Sequence, residues 1–248
     1  MKGKNTKISK NHKIVYAFLL MECFCYVFFL YLDIFQGEQK ELVKVSLWIK
    51  WLSIIVCFSF VTLHQSVEYR KKEKSVVSMA LFFTVMADFF LLLTDWNIIG
   101  ILCFIIIQTI YLYRLTMWND EIRFTRRIVG RFLCSIVILL FAILVEDARQ
   151  PELIVAVIYV NSLVDNIAVS ASICFYHVGS KRKSGCFFAG LCLLFLCDVQ
   201  VAVYNADMLI SVQEIPIISK LTAFAEIAMW LFYLPSQVLI TLSGRLEK

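Results

Sequence analysis

Charged residues are scarce in this sequence and unevenly placed. They make up 17% of its 248 residues, and long stretches contain almost none. Hydrophobic residues make up 60%, and the mean hydropathy is +0.79. A water-soluble domain of this length needs far more polar surface. The scarcity of charge therefore excludes a soluble globular protein and indicates a chain built mainly of membrane-embedded segments.

Several sequence signatures are also missing. No GxSxG elbow, HExxH helix, phosphate-binding loop or GxGxxG turn occurs, which removes the common motifs of serine hydrolases, zinc proteases and nucleotide-binding enzymes. The nine cysteines lie in apolar runs and form no CxxC pair, so they predict small membrane-helix side chains rather than a zinc site. The net charge of +5 is spread between apolar runs, which does not indicate nucleic-acid binding.

Eight apolar runs are long enough to cross the ~30 Å hydrocarbon core as helices. Lipid offers no hydrogen bonds to the backbone, so the runs are expected to be helices rather than open strands. The sequence predicts an all-α membrane domain over residues 14–243, with a basic tail at 1–13 and a short tail at 244–248. The predicted spans are 14–32, 45–64, 76–93, 98–117, 130–146, 153–175, 185–205 and 222–243.

The basic residues indicate how these spans are oriented. If all eight are real, 19 of the 24 Lys and Arg residues fall on one side and five on the other. By the positive-inside rule, the richer side is cytoplasmic. Both chain ends are therefore predicted in the cytoplasm, and a bacterial-type cell membrane is the expected location.

A few charges fall inside the predicted spans, where each costs several kcal/mol unless it has a partner or a function. They are Glu22, Lys50, Asp88, Asp165, Asp198 and Glu226. At ~1.5 Å per residue, Asp88 lies about 18 Å and Asp198 about 20 Å from the inner face. Both helices run in the same direction, and the octamers MADFFLLL and LCDVQVAV are consistent with a parallel four-plus-four repeat.

Two acids at one depth would face each other across the bundle interior. Burial would leave one protonated and the other available as a base, an arrangement that suits proton-transfer catalysis. The same pair also suits a proton-coupled transporter or a structural contact between helices. The residues alone leave these three interpretations open.

Four segments place polar residues at particular points of apolar runs; they are IKWLSIIVCF, VMADFFLLL with the following GILCFIIIQTIYLYRL, GLCLLFLCDVQVAV and FYLPSQVLI. In this order they resemble the motifs of the YhhN-like family, the lysoplasmalogenases. In the first, Lys50 takes the family's lysine position, with Trp51 in place of proline. In the second, Asp88 takes the aspartate position, with Ala87 in place of glycine.

The resemblance continues along the chain. Three positions of the fourth span match the family pattern: Gly100, Phe104 and Tyr111. Gln108 stands where the family usually has histidine, so a hydrogen-bonding amide replaces a group that titrates near neutral pH. Asp198 takes the second aspartate position, with Cys197 in place of serine. Tyr233 and Gln237 match the motif of the last span.

The resemblance implies an eight-helix fold and hydrolysis of the vinyl ether bond of lysoplasmalogens to a fatty aldehyde and a glycerophospho-head group. The implied catalytic residues are Asp88 and Asp198, one as acid and one as carboxylate, as in glycoside hydrolysis. The implied substrate-binding residues are Lys50 for the phosphate, and Gln108, Tyr111, Tyr233 and Gln237 for water or the glyceryl hydroxyl.

No metal or organic cofactor is implied, and the expected partners are a lysophospholipid substrate and the surrounding membrane lipid, without nucleic acid. An enzyme is the favoured interpretation. The alternative is a non-hydrolytic lipid-binding protein or a proton-coupled transporter of the same fold.

Overall fold

The chain is helical throughout the part that the structure describes. This computed structural model describes residues 2–35, 39–63, 71–94, 96–145, 151–176, 180–209 and 216–244, with side chains left out for 2–12, 141–145, 206–209 and 216–220. Within these ranges there are eight α-helices and no strand, which confirms the all-helical prediction. The helices are α1 (Lys2–Phe35), α2 (Lys40–Leu63), α3 (Lys71–Leu93), α4 (Asn97–Thr116), α5 (Phe124–Val145), α6 (Pro151–Phe175), α7 (Lys181–Leu209) and α8 (Pro216–Ser243).

Seven of the eight helices are long and apolar enough to cross a membrane over their described residues, all but α5. The first four residues of α5 include Arg126 and Arg127, and its described side chains end at residue 140. That α5 also spans the membrane stays a prediction. α1 begins at Lys2, so most of the predicted tail is helical, while its candidate span begins at Lys13.

The helices pack around a common core. α2, α3, α4, α6, α7 and α8 form a closed ring in which each contacts the next and α8 returns to α2. α1 packs against α2 and α8, and α5 packs mainly against α6. Ile54, Ala80, Ile107, Leu163 and Leu191 lie in the core, each almost fully buried. The ring gives side chains from six helices access to one interior.

Two glycines allow close approach between neighbouring helices. A Cβ on Gly190 of α7 would lie 2.8 Å from Ile240 Cγ1 and 3.2 Å from the Ser236 carbonyl oxygen of α8. A Cβ on Gly100 of α4 would lie 2.5 Å from Leu91 Cγ of α3. Small residues at such points let membrane helices gain van der Waals contact along their backbones.

A proline in α8 leaves a backbone carbonyl free to accept a hydrogen bond from α1. The ring of Pro235 has no N–H to donate to the carbonyl of Leu231, four residues earlier. Tyr26 of α1 donates its hydroxyl to that carbonyl oxygen at 3.0 Å. In lipid, a free carbonyl has no water to bind. The proline therefore creates an acceptor on α8, and α1 supplies the donor.

A charged cluster joins four helices at their basic ends. The Glu73 carboxylate of α3 accepts from Arg114 Nη2 of α4 at 3.3 Å and from Trp118 Nε1 at 3.1 Å, and it pairs with Lys183 of α7. Arg114, fully buried, also donates from Nη1 to Ser243 Oγ of α8 at 2.9 Å. Removing one partner of such a group leaves a buried charge, which typically destabilises by about 3–5 kcal/mol.

Candidate functional site

Asp88 lies in the bundle interior next to α8. Its carboxylate accepts from the Tyr233 hydroxyl, with 2.7 Å to Oδ1 and 2.9 Å to Oδ2. Asp88 is 3% exposed and Tyr233 6%. This hydrogen bond joins α3 to α8 across the ring of helices. Two residues predicted for the site from different sequence segments are therefore in direct contact.

Asp198 has a similar arrangement on the other side of the interior. Its Oδ2 accepts from the Tyr159 hydroxyl of α6 at 2.8 Å. Tyr159 is buried and Asp198 partly exposed. Each of the two carboxyl groups is therefore bound to its own tyrosine, on a different helix.

Phe104 of α4 packs against both tyrosines. Its ring centroid is 5.5 Å from that of Tyr159 and 6.5 Å from that of Tyr233. Residues four and seven positions further along a helix share its face, and on α4 these are Gln108 and Tyr111. Phe104, Gln108 and Tyr111 therefore lie on one face of α4, and Phe104 brings that face to the two tyrosines that bind the aspartates.

Three side chains predicted to bind substrate carry buried polar atoms without a hydrogen-bond partner. These atoms are Gln108 Nε2, Tyr111 Oη and Gln237 Oε1. Buried polar groups are nearly always hydrogen-bonded in native proteins, so an unpaired one calls for a ligand, water or strain to explain it. Gln237 lies one turn beyond Tyr233 on α8. All three atoms are therefore on the two helices, α4 and α8, that carry Phe104 and Tyr233.

A polar network from α5 and α6 holds the amide of Gln108. Asn166 Nδ2 donates to Gln108 Oε1 at 2.8 Å, and Arg131 Nη2 donates to Asn166 Oδ1 at 2.6 Å. The Asp165 carboxylate accepts from Arg131 Nε and from Arg127 Nη1, both at 2.8 Å. Asp165, one of the charges noted within the apolar runs, is thus paired with two arginines of α5.

Lys50 is buried and paired with a residue of α1. Its Nζ lies 2.8 Å from Asp33 Oδ2, and Ser46 donates to Asp33 Oδ1 at 2.6 Å. The ammonium lies 4.9 Å from the Trp230 ring centroid, and Trp230 packs edge-on against Tyr233 at 5.2 Å. One aromatic ring therefore separates Lys50 from the Tyr233–Asp88 pair. Its expected role in phosphate binding stays a prediction.

Two further charges noted within the apolar runs lie on α1 and α8. Glu22 of α1 is 3% exposed, and its Oε1 accepts from Cys57 Sγ at 3.3 Å. Glu226 lies on an exposed face of α8.

A cavity of about 340 Å³ lies at the first turns of α4 and α6; its lining is Trp96, Asn97, Ile98, Ile99 and Glu152. None of the predicted site residues lines this cavity.

Sequence reasoning missed three partners of the site. Asp33 lies one residue beyond the predicted end of the first span, so the predicted bounds place it outside the membrane. Asn166 is an amide in the middle of an apolar run, a signal that could have been read. Tyr159 is one of ten tyrosines, and nothing in the sequence distinguishes it.

Fold and site together define a multi-pass helical membrane protein with a buried polar centre between its helices. The chain belongs to the YhhN family, whose family model matches residues 45–244. The match begins within α2 and extends through α8, so α1, with Glu22 and Asp33, lies outside it. No curated protein and no solved structure matches the chain.

Proposed function

We propose that this protein is an intramembrane hydrolase that cleaves the vinyl ether bond of lysoplasmalogens to a fatty aldehyde and a glycerophospho-head group. The observation that supports it best is the pair of Tyr–Asp contacts, Tyr233–Asp88 and Tyr159–Asp198, whose two tyrosines both pack against Phe104. The proposed hydrolysis uses one proton donor and one carboxylate. Asp88 and Asp198 are assigned to these roles because Phe104 packs against the tyrosine that binds each of them.

The proposed reaction starts with one aspartic acid. Its proton passes to the alkenyl carbon remote from oxygen, and the π electron pair forms the new C–H bond. The positive charge is then shared between the other alkenyl carbon and the ether oxygen. The second aspartate, ionised, stabilises this cation and orients a water molecule, as the paired carboxylates of glycosidases do.

Water adds to the cationic carbon, and its proton passes to the second carboxylate, which gives a hemiacetal. The hemiacetal breaks its carbon–oxygen bond to glycerol. Its hydroxyl proton passes to the first aspartate as the glyceryl oxygen takes the proton of the second, which restores both groups. The products are the aldehyde and the free glycerophospho alcohol. Tyr233 and Tyr159 hold the two carboxyl groups in place, because each donates a hydrogen bond to one of them.

Substrate binding is assigned to the unpartnered polar atoms and to Lys50. Gln108, Tyr111 and Gln237 have open donors or acceptors for water or the glyceryl hydroxyl. Lys50 would attract the phosphate while it shares its charge with Asp33. The single alkenyl chain of the substrate would enter between helices from the surrounding lipid.

We also propose eight spans with both ends in the cytoplasm. Arg131 lies seven residues into α5, and it reaches Asp165, ten residues before the end of α6. At ~1.5 Å per residue, both lie at similar depths of an antiparallel pair, which supports a spanning α5. Asp88 and Asp198 are each the eighteenth residue of their helix, a register that supports the four-plus-four repeat.

The test is release of aldehyde from an alkenyl lysophospholipid by the purified protein in detergent. Wild type is expected to release it, and Asp88→Asn and Asp198→Asn are each expected to abolish release. Asp120→Asn, in the connection between α4 and α5, is the matched control and is expected to retain activity. Activity that survives both site substitutions contradicts the assignment. Lysolipid binding without turnover by wild type would favour a non-hydrolytic lipid-binding protein.

A further inference from the structure

The amide of Gln108 has a fixed polarity that its neighbours impose. An arginine guanidinium has only donors, so the Asn166 atom that faces Arg131 at 2.6 Å must be the acceptor, Oδ1. The other end of the Asn166 amide, Nδ2, then faces Gln108 at 2.8 Å and must meet an acceptor, Oε1. The NH₂ group of Gln108 is what remains, and it has no partner.

Burial makes this polarity hard to reverse. Gln108 and Asn166 are both 0% exposed, and Arg131 is 7% exposed. The asparagine is further anchored by a second bond, from Nδ2 to the Gln108 backbone oxygen at 2.8 Å. Arg131 is itself held by Asp165 at 2.8 Å. Turning the Gln108 amide over would place two NH₂ groups against each other.

Gln108 belongs to the same α4 face as Phe104, whose ring packs against the tyrosine of each Tyr–Asp pair. A ligand bound along this face of α4 would find an unpartnered donor in Gln108. Tyr111, one turn further along α4, has a buried hydroxyl without a partner. Its oxygen offers the acceptor that a hydroxyl-bearing ligand also needs.

We infer that Arg131 and Asn166 are positioning residues that hold the Gln108 amide as a hydrogen-bond donor toward an oxygen of the ligand. This rests on the proposed function for the identity of the ligand, and there the oxygen is the sn-2 oxygen of the lysolipid glycerol. The ether oxygen is the poorer acceptor for this reaction, because a donor on it would withdraw the lone pair that stabilises the cation. Arg131 acts across Asn166 without touching the ligand.

The test compares two alkenyl lysophosphocholines, one with an sn-2 methoxy group and one with no sn-2 oxygen. The methoxy oxygen accepts a hydrogen bond and cannot donate one. The kcat/KM of this compound therefore depends on whether Gln108 presents its NH₂ group or its oxygen. Wild type is expected to prefer the methoxy compound in kcat/KM by about 10-fold, the typical effect of one hydrogen bond. In Asn166→Asp, the aspartate accepts from both neighbours, Gln108 turns its oxygen toward the ligand, and the preference disappears.

A second variant and a control keep the test decisive. Gln108→Met removes the amide and leaves Asn166 its bond to the residue 108 backbone oxygen, so it should fold and should also lose the preference. Asn161→Asp makes the same change on the same helix, at an amide that donates to the Arg131 backbone oxygen and Ser135 Oγ. It is expected to keep the preference.

The outcome separates this inference from the proposed function. If wild type releases no aldehyde, the hydrolase proposal fails, and the same comparison is made as binding of the saturated alkyl analogues by native mass spectrometry. The inference is overturned if wild type treats the methoxy and deoxy compounds alike, or if Asn166→Asp and Gln108→Met keep the wild-type ratio.

Discussion

At the scale of single residues, the tyrosine hydroxyls connect the two aspartates to the rest of the bundle. Tyr233 donates to both oxygens of Asp88, and Tyr159 donates to one oxygen of Asp198. Hydrogen bonds to a charged group contribute about 1.5–3 kcal/mol. The tyrosines therefore fix where each carboxyl group points.

Replacing either tyrosine by phenylalanine tests this role. Tyr233→Phe and Tyr159→Phe each keep the ring and its packing on Phe104 but leave one carboxyl group without its donor. We expect kcat to fall about 10- to 100-fold in each, measured as aldehyde release under saturating substrate. Tyr204→Phe, on an exposed part of α7, serves as control. Full activity in both site variants would show that the tyrosines do not position the acids.

Lys50 allows a test that separates phosphate binding from structure. Lys50→Met leaves Asp33 buried without its cation, which should destabilise the protein by about 3–5 kcal/mol. The double variant Asp33→Asn with Lys50→Met removes both charges and should recover the thermal stability. If Lys50 binds the phosphate, KM stays raised in the double variant with kcat little changed.

The exposed Lys44, which pairs with Glu41 on the same helix, provides the control, and Lys44→Met should leave KM as it is. A wild-type KM in the Asp33→Asn, Lys50→Met protein would assign Lys50 to structure alone.

At the scale of helices, the sequence predicts which segments are helical and in what order they follow. It does not predict which helices contact each other. Apolar runs of about 20 residues are a strong signal, because lipid leaves the backbone few alternatives to a helix. The helices extend past several predicted starts, as α3 does from 76 back to Lys71, because long basic side chains at helix ends reach the interface. Which helices neighbour each other depends on side-chain packing, so the Tyr159 and Asn166 contacts could not be predicted.

The contact of α1 with α8 gives a prediction at this scale. Tyr26→Phe removes the donor to the Leu231 carbonyl and should lower stability by about 1 kcal/mol. Pro235→Ala restores an N–H at that point, so the helix can satisfy the carbonyl itself. In the Pro235→Ala background, Tyr26→Phe should cost clearly less, measured as the shift in thermal unfolding in detergent. Equal costs in the two backgrounds would show that the proline does not create this acceptor.

At the scale of the whole molecule, the number of spans decides where the two ends lie. Seven helices qualify as spans by length and composition over their described residues, and an eighth, α5, is proposed from its pairing with α6. With eight spans, an epitope tag at residue 1 and one at residue 248 lie on the same side. With seven, they lie on opposite sides.

Protease protection in sealed inside-out vesicles distinguishes the two cases. Both terminal tags should be cleaved, whereas a tag at residue 39, between α1 and α2, should be protected. One protected terminal tag would contradict the eight-span topology. The register of Asp88 and Asp198 was available from the sequence because both follow basic helix starts. The span of α5 was less clear, since arginines occupy its beginning.

The central claim is that a proton reaches carbon within this site. The most direct measurement is hydrolysis of an alkenyl lysophospholipid in D₂O, with the aldehyde reduced as it forms and analysed by mass spectrometry. For wild type, the account predicts product with one deuterium on the carbon next to the former carbonyl. For Asp88→Asn and Asp198→Asn, it predicts no such product. No aldehyde, or aldehyde without deuterium at that carbon, would contradict it.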